Sequence, residues 1–101
     1  MKKILNGKLY DTDTATFIDE YSNDYGPRDF RSMQESLYRK KNGEFFLCGE
    51  GGPMTRYAEK CGDMWGSGKG IIPISEAEAR EWLENYSDTE TYIETFGEPE
   101  D

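Results

Sequence analysis

Hydrophobic and polar residues follow a helical period most clearly near the C-terminus. Two stretches each place four residues, most of them apolar, at the spacing i, i+3, i+4 and i+7, which lines one face of an α-helix. They are Ala79, Trp82, Leu83 and Tyr86 in the first stretch, and Thr89, Tyr92, Ile93 and Phe96 in the second. The pattern predicts two short amphipathic helices that pack these apolar stripes on a sheet.

Capping residues predict where the two helices begin and end. Each stretch is preceded by the pattern SxxE, in which the serine and the glutamate side chains bond the first backbone N–H groups of a helix. The pairs are Ser75 with Glu78, and Ser87 with Glu90. Gly97, followed by a proline at position 99, ends the second helix because glycine readily adopts the backbone conformation found just past a helix C-terminus.

Shorter apolar runs in the first half of the chain predict strands. Asn6-Gly7 separates runs at about 2–5 and 8–11, and this dipeptide tolerates the positive φ angles of a two-residue hairpin turn. Residues 15–21 are rich in β-branched and aromatic side chains, so they predict a third strand. Residues 23–29 predict a loop because glycine and proline interrupt them.

A second Asn-Gly pair, at positions 42–43, lies between the runs SMQESLYRK and FFLCGEG. A two-residue turn at this pair sets which residues face each other across the hairpin. The expected pairs are Lys41 with Glu44, Tyr38 with Leu47, and Leu37 with Cys48. This register gives apolar groups to both sheet faces, so we expect the helices to cover one face and the central loop or a partner to cover the other.

Glycine dominates the centre of the chain. Seven of the eleven glycines lie between Gly49 and Gly70, which predicts a loop with a short helical turn around residues 54–60. The glycines of the segment CGEGGP at 48–53 allow a tight bend after the strand or the close approach of another backbone. The segment GSGKG at 66–70 lacks the spacing and the hydroxyl residue of a phosphate-binding loop. Residues 70–74 predict a strand at a sheet edge, because Pro73 cannot donate a ladder hydrogen bond.

Together these elements predict an α+β fold. We expect a small antiparallel sheet built from two Asn-Gly hairpins plus one or two further strands, with two short C-terminal helices. A chain of 101 residues has room for one core, so residues 1–97 are interpreted as a single domain. Residues 98–101 are expected to form a frayed acidic tail.

Charge is distributed unevenly along the chain. Residues 1–74 hold eleven acids and eleven bases, whereas residues 75–101 hold ten acids and one base, Arg80, and so carry the whole net charge of −9. Acidic helix faces can attract a cationic partner, although a charge run is as often a solvated surface. The candidate partner-binding residues are Glu78, Glu81, Glu84, Asp88, Glu90 and Glu94.

A small basic group lies at the end of the second predicted hairpin. It consists of Tyr38, Arg39, Lys40 and Lys41. An aromatic side chain beside three bases is a candidate RNA contact. Three charges give only a modest gain from counterion release, and the negative field of the whole molecule repels phosphate. Direct nucleic-acid binding is therefore the less favoured interpretation.

The chain lacks residues that several kinds of catalytic and metal-binding site require. The chain has no histidine, which excludes Ser-His and Cys-His nucleophile systems and histidine-containing metal sites. Cys48 and Cys61 form no CxxC motif and are interpreted as free thiols. We expect no metal, no cofactor and no small-molecule substrate. Catalysis by carboxylate, lysine, arginine or tyrosine side chains remains open.

The chain shows no sign of a membrane segment. No apolar run approaches the roughly 20 residues that a membrane-spanning helix requires, and no apolar stretch of the signal-peptide kind follows the basic start. We therefore expect a cytoplasmic protein.

Three segments carry a resemblance to a known family: KKILNGKLYDTDTAT, LYRKKNGEFFLCGEGGPMTRYAE and IIPISEAEAREWLE. They resemble short proteins carried on mobile elements of Gram-positive bacteria, including phage. Some members of that group look like type II anti-CRISPR proteins, which inhibit Cas9. The likeness extends from about Lys2 to Phe96, and it implies action in the cytoplasm of a bacterial host cell.

The resemblance implies a function by binding. Cas9 holds its guide RNA in a positively charged channel, where a compact acidic domain can compete. The first hypothesis is a stoichiometric Cas9 inhibitor that blocks guide-RNA loading or target-DNA engagement. A nuclease that cleaves the guide RNA is the second. An adaptor that contacts another host protein through its Gly-rich loop and exposed sheet face is the third.

Overall fold

The computed structural model describes residues 1–100 as eight strands and two helices. In chain order the strands are β1 Lys2–Leu5, β2 Lys8–Asp11, β3 Thr16–Ser22, β4 Met33–Arg39, β5 Phe45–Gly51, β6 Glu59–Cys61, β7 Met64–Gly66 and β8 Gly68–Ile74. The helices are α1 Glu76–Tyr86 and α2 Thr89–Phe96. The predicted α+β class, with antiparallel sheets and two C-terminal helices, is confirmed.

The strands form three antiparallel sheets instead of the one that was expected. The central sheet has four strands in the order β3-β4-β5-β8. The strand that contains Pro73 lies at its edge, as predicted. The pair β1-β2 and the pair β6-β7 each form a separate two-stranded sheet. In the first of these, Leu5 faces Lys8 across Asn6 and Gly7, whose φ angles are +52° and +77°.

The two faces of the central sheet are covered by different elements. Leu37, Phe45 and Leu47 are buried against the helices. Phe46, the neighbour of Phe45 along β5, is buried against Tyr10 of β2 instead, because successive residues of a strand point to opposite faces. The molecule therefore has three layers: the two helices, the central sheet and the β1-β2 hairpin. The face expected to meet the central loop or a partner meets the N-terminal hairpin.

The predicted register of the second hairpin is wrong by one residue. Tyr38 faces Phe46, and Leu37 faces Leu47. The connection is longer than a two-residue turn because only Gly43 adopts a positive φ, +91°, while the Asn42 side chain accepts the Glu44 backbone N–H at 3.0 Å. A slip of one residue moves every side chain to the other sheet face, so this turn decides that Leu37 and Leu47 lie on the helix side.

The interpretation of residues 49–70 as a loop is also wrong. Strand β5 continues to Gly51 and β8 begins at Gly68, with the β6-β7 hairpin between them. No helix forms around residues 54–60, where the chain makes turns and then enters β6. Backbone ladder bonds hold the glycines in strands, an effect that composition does not reveal.

Because these glycines have no side chains, another segment of the chain packs directly on one end of the sheet. A Cβ atom at Gly49 would overlap the Tyr57 ring, and one at Gly51 would overlap the Thr55 side chain. The close approach of another backbone expected at residues 48–53 occurs at Gly52, where a Cβ would meet the carbonyl oxygen of Phe30. Gly68 also allows such an approach, because a Cβ there would meet the carbonyl oxygen of Tyr57. Residues 55–57 thus cover the part of the helix-side face that α1 does not reach.

The substitution Gly49→Ala tests this contact. The new methyl group must displace the buried Tyr57 ring, so we expect the free energy of unfolding to fall by about 1–3 kcal/mol, the usual cost of overpacking. Urea denaturation followed by circular dichroism measures the change.

Gly70→Ala is the matched control, because Gly70 faces Gly49 across the strand pair and a Cβ atom added there would meet no other group within 4 Å. We expect that variant to be neutral or to gain up to about 1 kcal/mol. Equal losses in the two variants would show that strand glycines matter here for a reason other than the Tyr57 contact.

Candidate protein-binding surface

Helix α1 begins at the predicted capping box. The Glu78 backbone N–H donates to the Ser75 hydroxyl at 3.1 Å, and the Ser75 backbone N–H donates to the Glu78 carboxylate at 3.0 Å. The hydrogen bond with the Ser75 backbone is the main cause of a lowered pKa of Glu78, and the bond with the Ser75 side chain lowers it further. The box directs α1 back across the sheet, with Ala79, Trp82 and Leu83 buried on it.

Helix α2 begins one residue later than predicted. Its N-cap is Asp88, whose carboxylate accepts the Thr91 backbone N–H at 2.8 Å. Hydrogen bonds from the Thr91 side chain and backbone lower the pKa of Asp88. The capping box of Ser87 with Glu90 is wrong because the Ser87 hydroxyl donates to the Asp19 carboxylate of β3. A charged acceptor on the neighbouring sheet competes successfully for that hydroxyl.

Two arginines attach α2 to the rest of the protein. The Arg80 guanidinium of α1 donates to the Tyr92 hydroxyl at 3.1 Å and lies 4.2 Å from the centre of the Phe96 ring. The hydrogen bond with Tyr92 is the main cause of a raised pKa of Arg80. Arg39 of β4 donates to the Thr95 carbonyl at 3.2 Å, where a cation complements the negative C-terminal end of the helix. Both bases therefore join elements of the fold.

Four carboxylates remain without a cation on the two helices. They are Glu81, Glu84, Glu90 and Glu94, all exposed. Within residues 1–100, no lysine or arginine nitrogen lies within 4.0 Å of any of them. The other two predicted partner-binding residues, Glu78 and Asp88, are bonded within their helix caps. The structure thus divides the six acids into four that are free to meet a partner and two that hold the helices.

The predicted basic group does not form one surface. Arg39 lies on the helix side of the sheet, whereas the Lys40 ammonium lies 4.4 Å from the Tyr10 ring centre on the hairpin side. Tyr38 is half-buried and stacks on Phe46 with ring centres 5.3 Å apart. Only Lys41 of this group is exposed without such a contact in the described part of the chain. An RNA contact by these four residues stays a prediction. The four side chains are divided between the two sides of the sheet, so they do not form a single contact surface.

A buried carboxylate that the sequence analysis missed positions α1. Glu35 of β4 is 2% exposed and accepts hydrogen bonds from the Trp82 indole N–H at 2.9 Å and from the Tyr57 hydroxyl at 2.8 Å. Burial is the main cause of a raised pKa of Tyr57, and the hydrogen bond to the Glu35 carboxylate raises it further. The signal in the sequence was an acid two residues before Leu37 in an alternating strand, on the face that points to the core.

Other kinds of site find little support in residues 1–100. No three histidine, cysteine, aspartate or glutamate side chains are placed to hold a metal ion among them. Cys48 is half-buried and Cys61 is exposed, and both are free thiols. Neither helix has the length and apolar character needed to cross a membrane.

Comparisons with known proteins add no relative to this description. No family model, curated protein or solved structure matches the chain. Among the described residues, the four exposed carboxylates of α1 and α2 form a group of acids without a nearby cation on two adjacent elements.

Replacing Tyr57 by Phe tests whether Glu35 holds this arrangement together. The variant Tyr57→Phe keeps the ring but removes one of the two donors, which leaves a buried carboxylate oxygen unbonded. We expect a loss of about 1–3 kcal/mol in the free energy of unfolding, measured by urea denaturation.

Tyr38→Phe is the control, since the Tyr38 hydroxyl forms no hydrogen bond to another residue of the described chain and its loss should cost less than about 0.5 kcal/mol. Amide hydrogen exchange in α1 should accelerate only in Tyr57→Phe. Unchanged stability in that variant would mean that water replaces the hydroxyl at no cost.

Proposed function

We propose that this chain is a binding protein that presents the free carboxylates of α1 and α2 to the cationic surface of a partner protein, and that the partner is Cas9. The observation that carries the proposal is the set of four exposed glutamates without a cation nearby. The expected result of binding is stoichiometric inhibition, by blocking guide-RNA loading or target-DNA engagement.

The charge arrangement supports a role beyond solubility. Residues 75–101 carry a net charge of −9, and like charges held together destabilise a compact state. The only base of this segment, Arg80, pairs with Glu76 at 3.5 Å and otherwise contacts Tyr92 and Phe96 of α2, so it compensates none of the other acids. The repulsion is therefore left in place on the outer surface, where an opposite potential on a partner would relieve it and speed association.

The choice of Cas9 rests on the family resemblance and on electrostatics together. Cas9 binds nucleic acid through positively charged channels that recognise the backbone and not the sequence. A rigid surface with repeated negative charges can occupy such a channel in place of phosphates. Helices fixed by the Glu35 bonds and by Arg80 meet the requirement of rigidity, because a preorganised surface loses less entropy on binding.

Neutralising the four glutamates tests the proposed surface. In the variant Glu81→Gln, Glu84→Gln, Glu90→Gln, Glu94→Gln, we expect affinity for guide-free Cas9 to fall at least about tenfold at low salt, equal to ~1.4 kcal/mol. Raising the salt concentration should weaken the wild-type complex more than the variant complex, because the variant has fewer charges for salt to screen. Biolayer interferometry at several salt concentrations measures both effects.

The matched control removes the same number of charges elsewhere. Asp13→Asn, Glu20→Gln, Asp24→Asn and Glu50→Gln change exposed acids outside α1 and α2, and this variant should bind Cas9 nearly as the wild type does. Equal losses in the two variants would indicate a nonspecific effect of net charge. Full affinity in the helix variant would overturn the proposed surface.

An order-of-addition experiment identifies the blocked step. The protein is mixed with Cas9 before or after the guide RNA, DNA cleavage is assayed, and the RNA is run on a denaturing gel. Competition for the guide channel predicts that preloaded guide protects Cas9 and that the RNA stays intact. RNA shortened by substoichiometric protein would replace the binding proposal with the nuclease alternative, and no effect on Cas9 in either order would favour the adaptor.

A further inference from the structure

Two of the four asparagines in the chain are followed by glycine, at Asn6-Gly7 and Asn42-Gly43. The side chain of an asparagine reacts with the backbone nitrogen of the next residue when the two come together. Glycine permits the closest approach because it has no Cβ atom. Both asparagines are exposed, so access of water does not distinguish them, and the turns around them determine which one is free to react.

The reaction is a deamidation that needs only water as a second reactant. The backbone nitrogen of the glycine loses its proton to solvent, and its electron pair forms a bond to the Cγ atom of the asparagine. The bond from Cγ to the side-chain amide nitrogen breaks, and that nitrogen leaves as ammonia. Water then opens the resulting cyclic imide at one of its two carbonyl carbons, which yields aspartate or isoaspartate. An amide group that is already hydrogen-bonded must give up its bond before it reacts.

In the turn at Asn42, each group that takes part in the reaction is hydrogen-bonded. The Asn42 side chain donates to the Glu44 carboxylate at 2.6 Å and accepts the Glu44 backbone N–H at 3.0 Å. The Gly43 backbone N–H donates to the Lys40 carbonyl at 2.9 Å. This turn also joins β4 and β5, which are the two inner strands of the four-stranded sheet. The fold therefore protects Asn42 from deamidation.

The turn at Asn6 lacks these bonds. Within residues 1–100, neither the Asn6 side chain nor the Gly7 backbone N–H forms a hydrogen bond with another residue. The two residues are exposed, and they join β1 and β2, which pair only with each other. A two-stranded hairpin opens more readily than strands in the middle of a larger sheet. Such opening permits the backbone rotation that brings the Gly7 nitrogen to the Cγ atom of Asn6.

We propose that Asn6 is a site of spontaneous deamidation in the folded protein and that its turn protects Asn42. The modification replaces a neutral amide by a carboxylate at the tip of the β1-β2 hairpin. This hairpin lies on the opposite side of the central sheet from α1 and α2, so the proposal is independent of the proposed binding to Cas9.

The isoaspartate product changes the hairpin itself. Its backbone passes through the former side chain, which adds a methylene group to the turn and displaces the pairing of Leu5 with Lys8. Tyr10 of the same hairpin packs on Phe46 of the central sheet, with ring centres 5.5 Å apart. The modification therefore loosens the layer that covers this face of the sheet.

Incubation of the folded chain in warm, mildly alkaline buffer, followed by protease digestion and mass spectrometry of the peptides, tests the proposal. We expect Asn6 to convert at least about fivefold faster than Asn42, because one hydrogen bond of about 1 kcal/mol changes a local opening by that factor. In concentrated urea the two rates should become similar, since the unfolded chain keeps neither turn. Equal rates in the folded protein, or faster conversion of Asn42, would overturn the proposal.

Two variants assign the acidic product to its residue. Asn6→Gly removes the reactive amide and keeps a residue that accepts the positive φ of this turn, +52°, so the hairpin should still form. The acidic species that accumulates in the wild type, detected by ion-exchange chromatography, should not appear in this variant. Asn42→Gly is the matched control and should accumulate that species at the wild-type rate. Undiminished accumulation in Asn6→Gly, or its loss in Asn42→Gly, would contradict the assignment.

Discussion

The buried carboxylate of Glu35 is the interaction on which the arrangement of this protein depends. An ionised carboxylate is costly to bury unless hydrogen-bond donors surround it. Its two close donors come from two different parts of the chain, Tyr57 before β6 and Trp82 in α1. The central sheet, the segment that follows β5 and the first helix therefore meet at one point. The Arg56 guanidinium also lies 4.0 Å from this carboxylate. Movement of either donor would leave a buried carboxylate oxygen without its hydrogen bond, so the three elements are fixed together.

Glycine makes this arrangement possible. Glu35 faces Gly49 across the β4-β5 pair, and the absence of a side chain there admits the Tyr57 ring close to the sheet. The position of α1 in turn determines that of α2, because Arg80 joins the helices through Tyr92 and Phe96. The exposed glutamates of both helices are thus held at fixed positions by a chain of contacts that begins in the core. A cationic partner would meet a preorganised surface.

Features that depend on neighbouring residues could be predicted from the sequence. The capping box at Ser75, the apolar stripe of α1 and the end of α2 at Gly97 are of this kind. The errors arose where a distant group decided the outcome. Asp19 takes the Ser87 hydroxyl away from the cap of α2, and Tyr57 makes use of glycines that composition alone assigns to a loop. Glu35 was missed because its donors lie 22 and 47 residues away.

The exposed glutamates of the two helices act on association. They carry uncompensated charge, which favours fast and salt-sensitive encounter with a partner of opposite sign. Salt screens exposed charges of this kind, so the strength of that encounter depends on the ionic strength of the solution.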